Sequence, residues 1–215
     1  MHFTLADLIT DITQNGVESG ASIVELQVSE TWDSSEPGGS VEPGGSVEPG
    51  GSGGKGEFRF TVIDNGKGMT EEELKRAQDP FVTDGIKHPH RKVGLGLPFL
   101  IQTAEASGGG WKMESKKAGQ GQASGTVISA WFDMGNVDTP PVGDIPGMFR
   151  TVLLFGGPEE MVIKRLRKSP EGTQEDELDY EVRKTELLGA LGDLEDTQSL
   201  ILLDRYLRSL EEDGE

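Results

Sequence analysis

With 215 residues the chain has room for one full domain and an extension. Its 38 acidic residues against 20 basic ones leave a net charge of −18, which opposes nucleic-acid binding, since that depends on cations neutralising phosphates. The absence of cysteine excludes disulfides and thiolate-bound iron–sulfur clusters. No apolar run reaches roughly 18 residues and no leader precedes the first helix pattern, so membrane insertion and secretion are not expected and a cytoplasmic location is.

The first element, Leu5 to Val17, reads as a helix: Leu5, Leu8, Ile9 and Ile12 form one stripe, and Asp7, Asp11, Asn15 and Glu18 form the opposite, polar one. That polar stripe suits an ordinary solvated face. It also places a carboxylate one turn before a carboxamide, where Asn15 can ligate Mg²⁺ and Asp11 can accept a proton from an attacking oxygen. Gly16 and Gly20-Ala21 close the helix before a strand from Ser22 to Ser29.

Residues 33–56 then carry a repeat, Glu-Pro-Gly-Gly-Ser followed twice by Val-Glu-Pro-Gly-Gly-Ser. This composition buries too little apolar surface to offset ordering and predicts a flexible insertion at a hairpin tip, at a cost on the order of 1 kcal/mol. Gly53-Gly54-Lys55-Gly56 fails the P-loop pattern, because Pro49 stands at the first glycine position and Gly56 at the Ser/Thr position.

The strand Phe58 to Ile63 runs into Asp64-Asn65-Gly66-Lys67-Gly68-Met69. Asp64 falls at the last buried strand position, where a carboxylate is costly unless donors reach it, and an adenine amino group is one such donor. Gly66 and Gly68 remove the Cβ atoms that would keep the backbone away from a flat base, and Met69 adds a soft apolar face. Read alone, the hexapeptide equally suits an Asp-Asn-Gly hairpin turn.

Asp79 to Lys92 is punctuated by Gly and Pro and ends in His90, Arg91 and Lys92; it reads as a mobile lid whose Arg91 or Lys92 can meet phosphate oxygens. His88 and His90 do not make a metal site, since no cysteine and one other histidine are available to complete it. Gly94-Leu95-Gly96-Leu97-Pro98 leads into a helix from Phe99 to Ala106, the arrangement in which free N–H groups cradle phosphate. Gly125-Thr126 opens a strand from Val127 to Phe132.

These five segments, in this order, resemble the boxes of the GHKL ATPases, the superfamily of histidine kinases, type II topoisomerases and mismatch-repair ATPases. The resemblance covers residues 2 to about 133, and its specific parts are D-N-G-K-G-M and G-L-G-L. It implies an α+β Bergerat fold, a two-layer sandwich of a mixed, largely antiparallel sheet with helices on one face, binding ATP with Mg²⁺ under a lid. It further implies Asn15 as magnesium ligand, Asp64 as acceptor of the adenine amino group, and Gly66, Gly68 and Met69 as the base pocket. Phe81, Thr83, Arg91 and Lys92 in the lid, Gly94, Leu95, Gly96 and Leu97 in the phosphate loop, and Thr126 supporting the Asp64 contact complete the nucleotide-binding set. Asp11 stands where topoisomerase-like members carry a glutamate base; it is the candidate catalytic residue, one methylene shorter.

D-I-T-Q-N-G-V-E-S-G-A (11–21), D-P-F-V-T-D (79–84), R-K-V-G-L-G-L-P (91–98) and D-T-P-P-V-G-D (138–144) are also similar to a group of small stand-alone ATP-binding proteins of anaerobic bacteria. These are often encoded beside subunits of iron-only hydrogenases and NADH-dehydrogenase-like proteins.

The reading divides the chain into an ATP-binding domain, 1–135, and an acidic extension, 136–215. The extension is expected to hold a β-hairpin over 150–166, with strands Arg150 to Phe155 and Met161 to Leu166, then helices 177–191 and 197–210. From Ser169 to Glu215 there are 15 acidic and 4 basic residues, a surface that suits either solvation or docking on a basic protein partner, while its helices leave homodimerisation open. Two functions follow. One is a small regulatory ATPase or serine/threonine protein kinase resembling the anti-sigma kinases, with no phosphoacceptor hairpin expected ahead of the first helix. The other is a non-catalytic module that reports ATP against ADP to a redox-enzyme partner.

Overall fold

Helix α1 (Leu5–Glu18) begins with a capping box, in which Thr4 and Asp7 each accept the other's backbone N–H. The computed structural model describes residues 3–33, 55–78, 96–117, 119, 123–168 and 177–212. Two more of the helix's leading N–H groups are satisfied from far along the chain, Leu5 by the Pro141 carbonyl and Ala6 by that of Val142, both at 2.9 Å. The D-T-P-P-V-G-D segment thus serves as the seat of the first helix. Gly143 in it has φ +92°, and a Cβ there would stand 2.7 Å from the Thr4 hydroxyl oxygen.

Strands β1 (Ile23–Asp33) and β2 (Lys55–Asp64) pair antiparallel from Val24↔Asp64 to Asp33↔Lys55, so the repeat-bearing insertion joins two ladder partners. Residues 34–54 lie outside the described part. Beyond β2 come α2 (Glu71–Gln78), α3 (Gly96–Ala106), β3 (Gly110–Lys116) and β4 (Gly125–Asp133). Helix α2 has its own capping box, Thr70 with Glu73, and Lys117 pairs with the same carboxylate. Thr70's backbone N–H first and Lys117 next hold the Glu73 carboxyl down at about 2.

With β5 (Glu160–Arg167) and β6 (Leu178–Arg183), the six strands form one sheet in the order β3-β4-β2-β1-β5-β6, with four antiparallel pairs and one parallel pair, β1 with β5. Alternation decides its faces. Val24, Leu26 and Val28 on β1, Phe58, Phe60 and Val62 on β2, and Ile128, Ala130 and Phe132 on β4 are buried against the helices. The other face is polar, with a Thr61–Ser129 hydrogen bond, Arg59 over the Trp131 ring and Lys164 paired with Glu25. The expected α+β fold, a mixed and largely antiparallel sheet covered by helices, is what forms.

Two expectations for the extension are corrected. Arg150 to Phe155 is no strand: its first four residues end α4 (Ile145–Leu153) and Leu154 is that helix's C-cap, so no hairpin spans 150–166. Ile145, Met148, Phe149, Val152 and Leu153 are all buried at helical spacing, and Asp144 caps the start by accepting from Gly147. The β-forming Phe, Thr and Val of this stretch yield to that stripe. Residues 177–191 are not one helix either. Leu178 and Val182 alternate into the core on β6 (Leu178–Arg183), and α5 (Lys184–Leu191) starts only after it. The last helix, α6 (Thr197–Glu212), stands where expected. β5 and β6 therefore extend the sheet of the first 133 residues instead of building a separate layer.

A buried ion cluster closes this side of the fold. Arg165, 2% exposed, donates to Glu30 on β1, to Glu211 on α6 and to the Leu166 carbonyl, while the Tyr180 hydroxyl donates to Glu211. Burial alone would lower the Arg165 pKa, but Glu30 and Glu211 outweigh it and hold the guanidinium charged. Arg165→Met would leave two carboxylates without their cation, so urea unfolding should show a loss of ~3 kcal/mol. Breaking the half-exposed Arg150–Asp204 pair with Arg150→Met should cost less than ~1 kcal/mol.

Candidate functional site

The end of β2 sets the site. The alternation that buries Phe58, Phe60 and Val62 carries Asp64 into the same layer, where it is 8% exposed. Its Oδ1 accepts from the Gly66 backbone N–H at 2.9 Å and from the Ser19 hydroxyl at 3.0 Å, and the Thr126 backbone N–H donates to the carboxylate as well. Burial raises the carboxyl's pKa above its ordinary value, and these three donors oppose the rise without cancelling it.

The turn after Asp64 is closely fitted. A Cβ on Gly66 would lie 1.7 Å from Ser19 Oγ, and one on Gly68, at φ +59°, would lie 1.8 Å from the Lys116 carbonyl oxygen. Asn65 turns away from the pocket: its Oδ1 accepts from Ser22 and Ile23, both at 2.9 Å, and its Nδ2 donates to Ser22 Oγ, clamping the start of β1 to the end of β2. Met69 donates its N–H to Ser115 Oγ at 2.8 Å, which in turn lies 2.9 Å from Thr126 Oγ1. Thr126 is buried and is the ladder partner of Asp64; its hydroxyl contacts Ser115 and its backbone reaches the carboxylate.

Helix α1 brings the second part. Gly16 packs its backbone face toward Asp64, a Cβ there standing 3.6 Å from Asp64 Cβ, so Asn15 is the immediate neighbour of that contact. Asn15 and Asp11 are exposed on the polar stripe. The N-terminus of α3 faces both: a Cβ on Gly96 would stand 3.6 Å from Asn15 Nδ2 and 3.9 Å from Asp11 Cβ. Leu97, next along, is buried in the core. Partial burial, then the charge of Asp7 one turn earlier, raises the Asp11 carboxyl, within limits set by its exposure to water. Among the described residues no cluster of three or more His, Asp or Glu side chains could cage a metal.

The structure thus assembles Asp11, Asn15, Asp64, Gly66, Gly68, Met69, Gly96, Leu97 and Thr126 along one continuous path from α1 through the end of β2 to the start of α3. Phe81, Thr83, Arg91, Lys92, Gly94 and Leu95 fall in residues 79–95, outside the described part. Three polar groups were not singled out from sequence: Ser19, Ser115 and Asn65. Asn65 lay inside the hexapeptide and Ser19 inside the 11–21 segment, while Ser115 lay in no motif.

A helix-covered antiparallel sheet with a buried carboxylate at one strand end, facing a helix that bears Asp and Asn, defines the Bergerat class of ATP-binding fold. The chain belongs to the histidine kinase-, DNA gyrase B- and HSP90-like ATPase family, which it matches over residues 4–136. Over 66 residues it is 41% identical to the sensor protein KdpD of Clostridium acetobutylicum, a match covering 30% of this chain and 7% of KdpD. No helix among the described residues is long and apolar enough to cross a membrane.

The raised Asp64 pKa has a signed consequence. The folded state binds this proton more tightly than the unfolded state, whose value is near 3.8, so its contribution to stability is full below that pH and is lost as pH rises through the folded pKa. Asp64→Asn, which does not ionise, should unfold no earlier than wild type at pH 7. Its advantage should shrink as pH falls toward ~4, measured by thermal unfolding across that range.

Proposed function

We propose that the protein binds Mg-ATP at this site and works as a small regulatory ATPase or serine/threonine protein kinase of the anti-sigma type. The observation that carries the reading is Asp64: a buried, donor-fed carboxylate at a strand end, with glycines instead of side chains beside it. Asp64 would accept from the adenine amino group, and the α3 N-terminus at Gly96 would face the phosphates. Asn15 would hold Mg²⁺, which when bound neutralises phosphate charge. Asp11 would take the proton from the attacking hydroxyl or water as its oxygen bonds to the γ-phosphorus and the bond to the ADP oxygen breaks. The raised carboxyl of Asp11 suits it to hold that proton.

A second reading is favoured by one observation. Helix α1 receives its capping carbonyls from Pro141 and Val142, and the extension that follows them adds strands to the same sheet. A change in nucleotide at Asn15 therefore has a covalent and hydrogen-bonded route to the acidic extension, as a nucleotide-sensing module acting on a protein partner would need. The resemblance to proteins encoded beside hydrogenase subunits makes a redox enzyme the partner to try, and the acidic surface makes a basic docking face the one to look for.

Titration calorimetry with Mg-ATP and Mg-ADP tests the site. Asp64→Asn should lose ~2 kcal/mol or more of affinity, because an amide offers the adenine amino group a weaker acceptor or a competing donor. Asp11→Asn separates the two readings. Retained affinity with phosphate release or transfer abolished supports the enzyme. Wild-type turnover no faster than blank, alone and with the partner, supports the module.

A further inference from the structure

Ser19 stands just past the last turn of α1, four residues beyond Asn15, and three separate contacts tie it to Asp64 and the turn that follows β2, while a fourth ties it back to α1. Its hydroxyl lies 3.0 Å from Asp64 Oδ1 and 2.7 Å from the Gly16 carbonyl. Its own carbonyl accepts the Lys67 N–H at 3.2 Å. Its Oγ also occupies the space that any side chain on Gly66 would need. The residue is held in place from its other side too, as its backbone N–H bonds to the carbonyls of Asn15 and Gly16.

The hydroxyl has one proton and two acceptors within reach. The hydroxyl is shared between the Gly16 carbonyl at 2.7 Å and Asp64 Oδ1 at 3.0 Å, and a charged Asp64, as the stronger acceptor, draws the proton toward Oδ1. Oδ1 is then filled from two directions, by Ser19 O–H and Gly66 N–H, and two donors at fixed angles set both the rotamer and the plane of the carboxyl group. With the Thr126 backbone N–H on the same carboxylate, the acceptor capacity that remains is narrowed in direction, and that is what a ligand's donor would meet.

Resting on the ATP-binding reading above, we propose that Ser19 is a positioning residue for base selectivity, fixing the Asp64 carboxylate so that it rewards a purine carrying a 6-amino donor. Nothing in the base need touch Ser19. The preorganisation comes from α1, so the helix that carries Asp11 and Asn15 also sets the aim of the base-recognition group.

The test is a cycle between the protein and the ligand. The dissociation constants of Mg-ATP and of the magnesium complex of purine riboside 5′-triphosphate are measured for wild type, Ser19→Ala and Ser19→Thr. Purine riboside lacks the 6-amino group and adds no 6-oxo acceptor. Thermal unfolding of each variant reports its folding. Ser19→Ala should weaken ATP roughly tenfold while changing the purine riboside triphosphate less than about twofold, and Ser19→Thr, which keeps the hydroxyl, should retain the wild-type ratio. A wild-type protein that prefers ATP, with a preference that survives Ser19→Ala, overturns the role of Ser19 and leaves the site intact. Equal weakening of both nucleotides overturns it too, as the mark of a structural role only. Wild type that binds neither nucleotide, or binds both alike, overturns the ATP-site reading itself and this inference with it.

Discussion

A carboxylate that strand alternation forces into a buried layer has to be met by donors, and much of this molecule is arranged around that need at Asp64. Its partners come from three places: the turn that follows it, the end of α1, and the neighbouring strand β4. Because each lies on a different element, satisfying one side chain fixes the relative placement of α1, β2 and β4. Asn15 lies on α1, Gly66 in the turn after β2 and Thr126 on β4, so the donors that stabilise the buried charge also bring these residues of the candidate site together. The charge remains costly, which is why its carboxyl stays raised, and sites that bind ligands commonly retain such a cost.

The extension is the second organising fact. A parallel strand beside β1 needs a crossover, and α4 supplies it, packing Ile145, Met148, Phe149, Val152 and Leu153 into the same core as α1. Arg165 then ties β1, β5 and α6 together through a buried guanidinium and two carboxylates with little access to water, a device that gives weak net stabilisation but fixes how the helix sits. The acidic residues of the extension are thereby attached to the sheet that carries the site.

Sequence reasoning placed Asp11, Asn15 and Asp64 on their helix and strand correctly and misplaced two elements of the extension, for a physical reason in each case. Asp11, Asn15 and Asp64 carry strong signals because helix and strand periodicities are local, and their polar and apolar stripes place side chains by counting alone. The stretch from Arg150 misleads because its Phe, Thr, Val and Leu favour a strand locally. Its true stripe begins at Ile145, announced by Asp144 and Pro146, and is seen only when the window opens five residues earlier. Leu178, Tyr180 and Val182 alternate as a strand should, yet the leucines of the following helix draw the eye toward one long helical pattern. Strand β3 and helix α2 are short and mostly polar, and their sequences hold little periodicity to read.

What the sequence determined by itself is the class of chemistry: a hexapeptide whose carboxylate and glycines suit a flat base, and a helix pairing Asp11 with Asn15. What only the tertiary structure decided is who meets whom across the chain. Ser19 and Asp64 are 45 positions apart, and Leu5 takes its cap from Pro141, well over a hundred residues away. Such contacts depend on strand order and helix docking, which follow from the sum of many weak burial terms. No short motif records them. Local patterns fix which residue types can act, and packing of the distant elements fixes which of them are placed to act together.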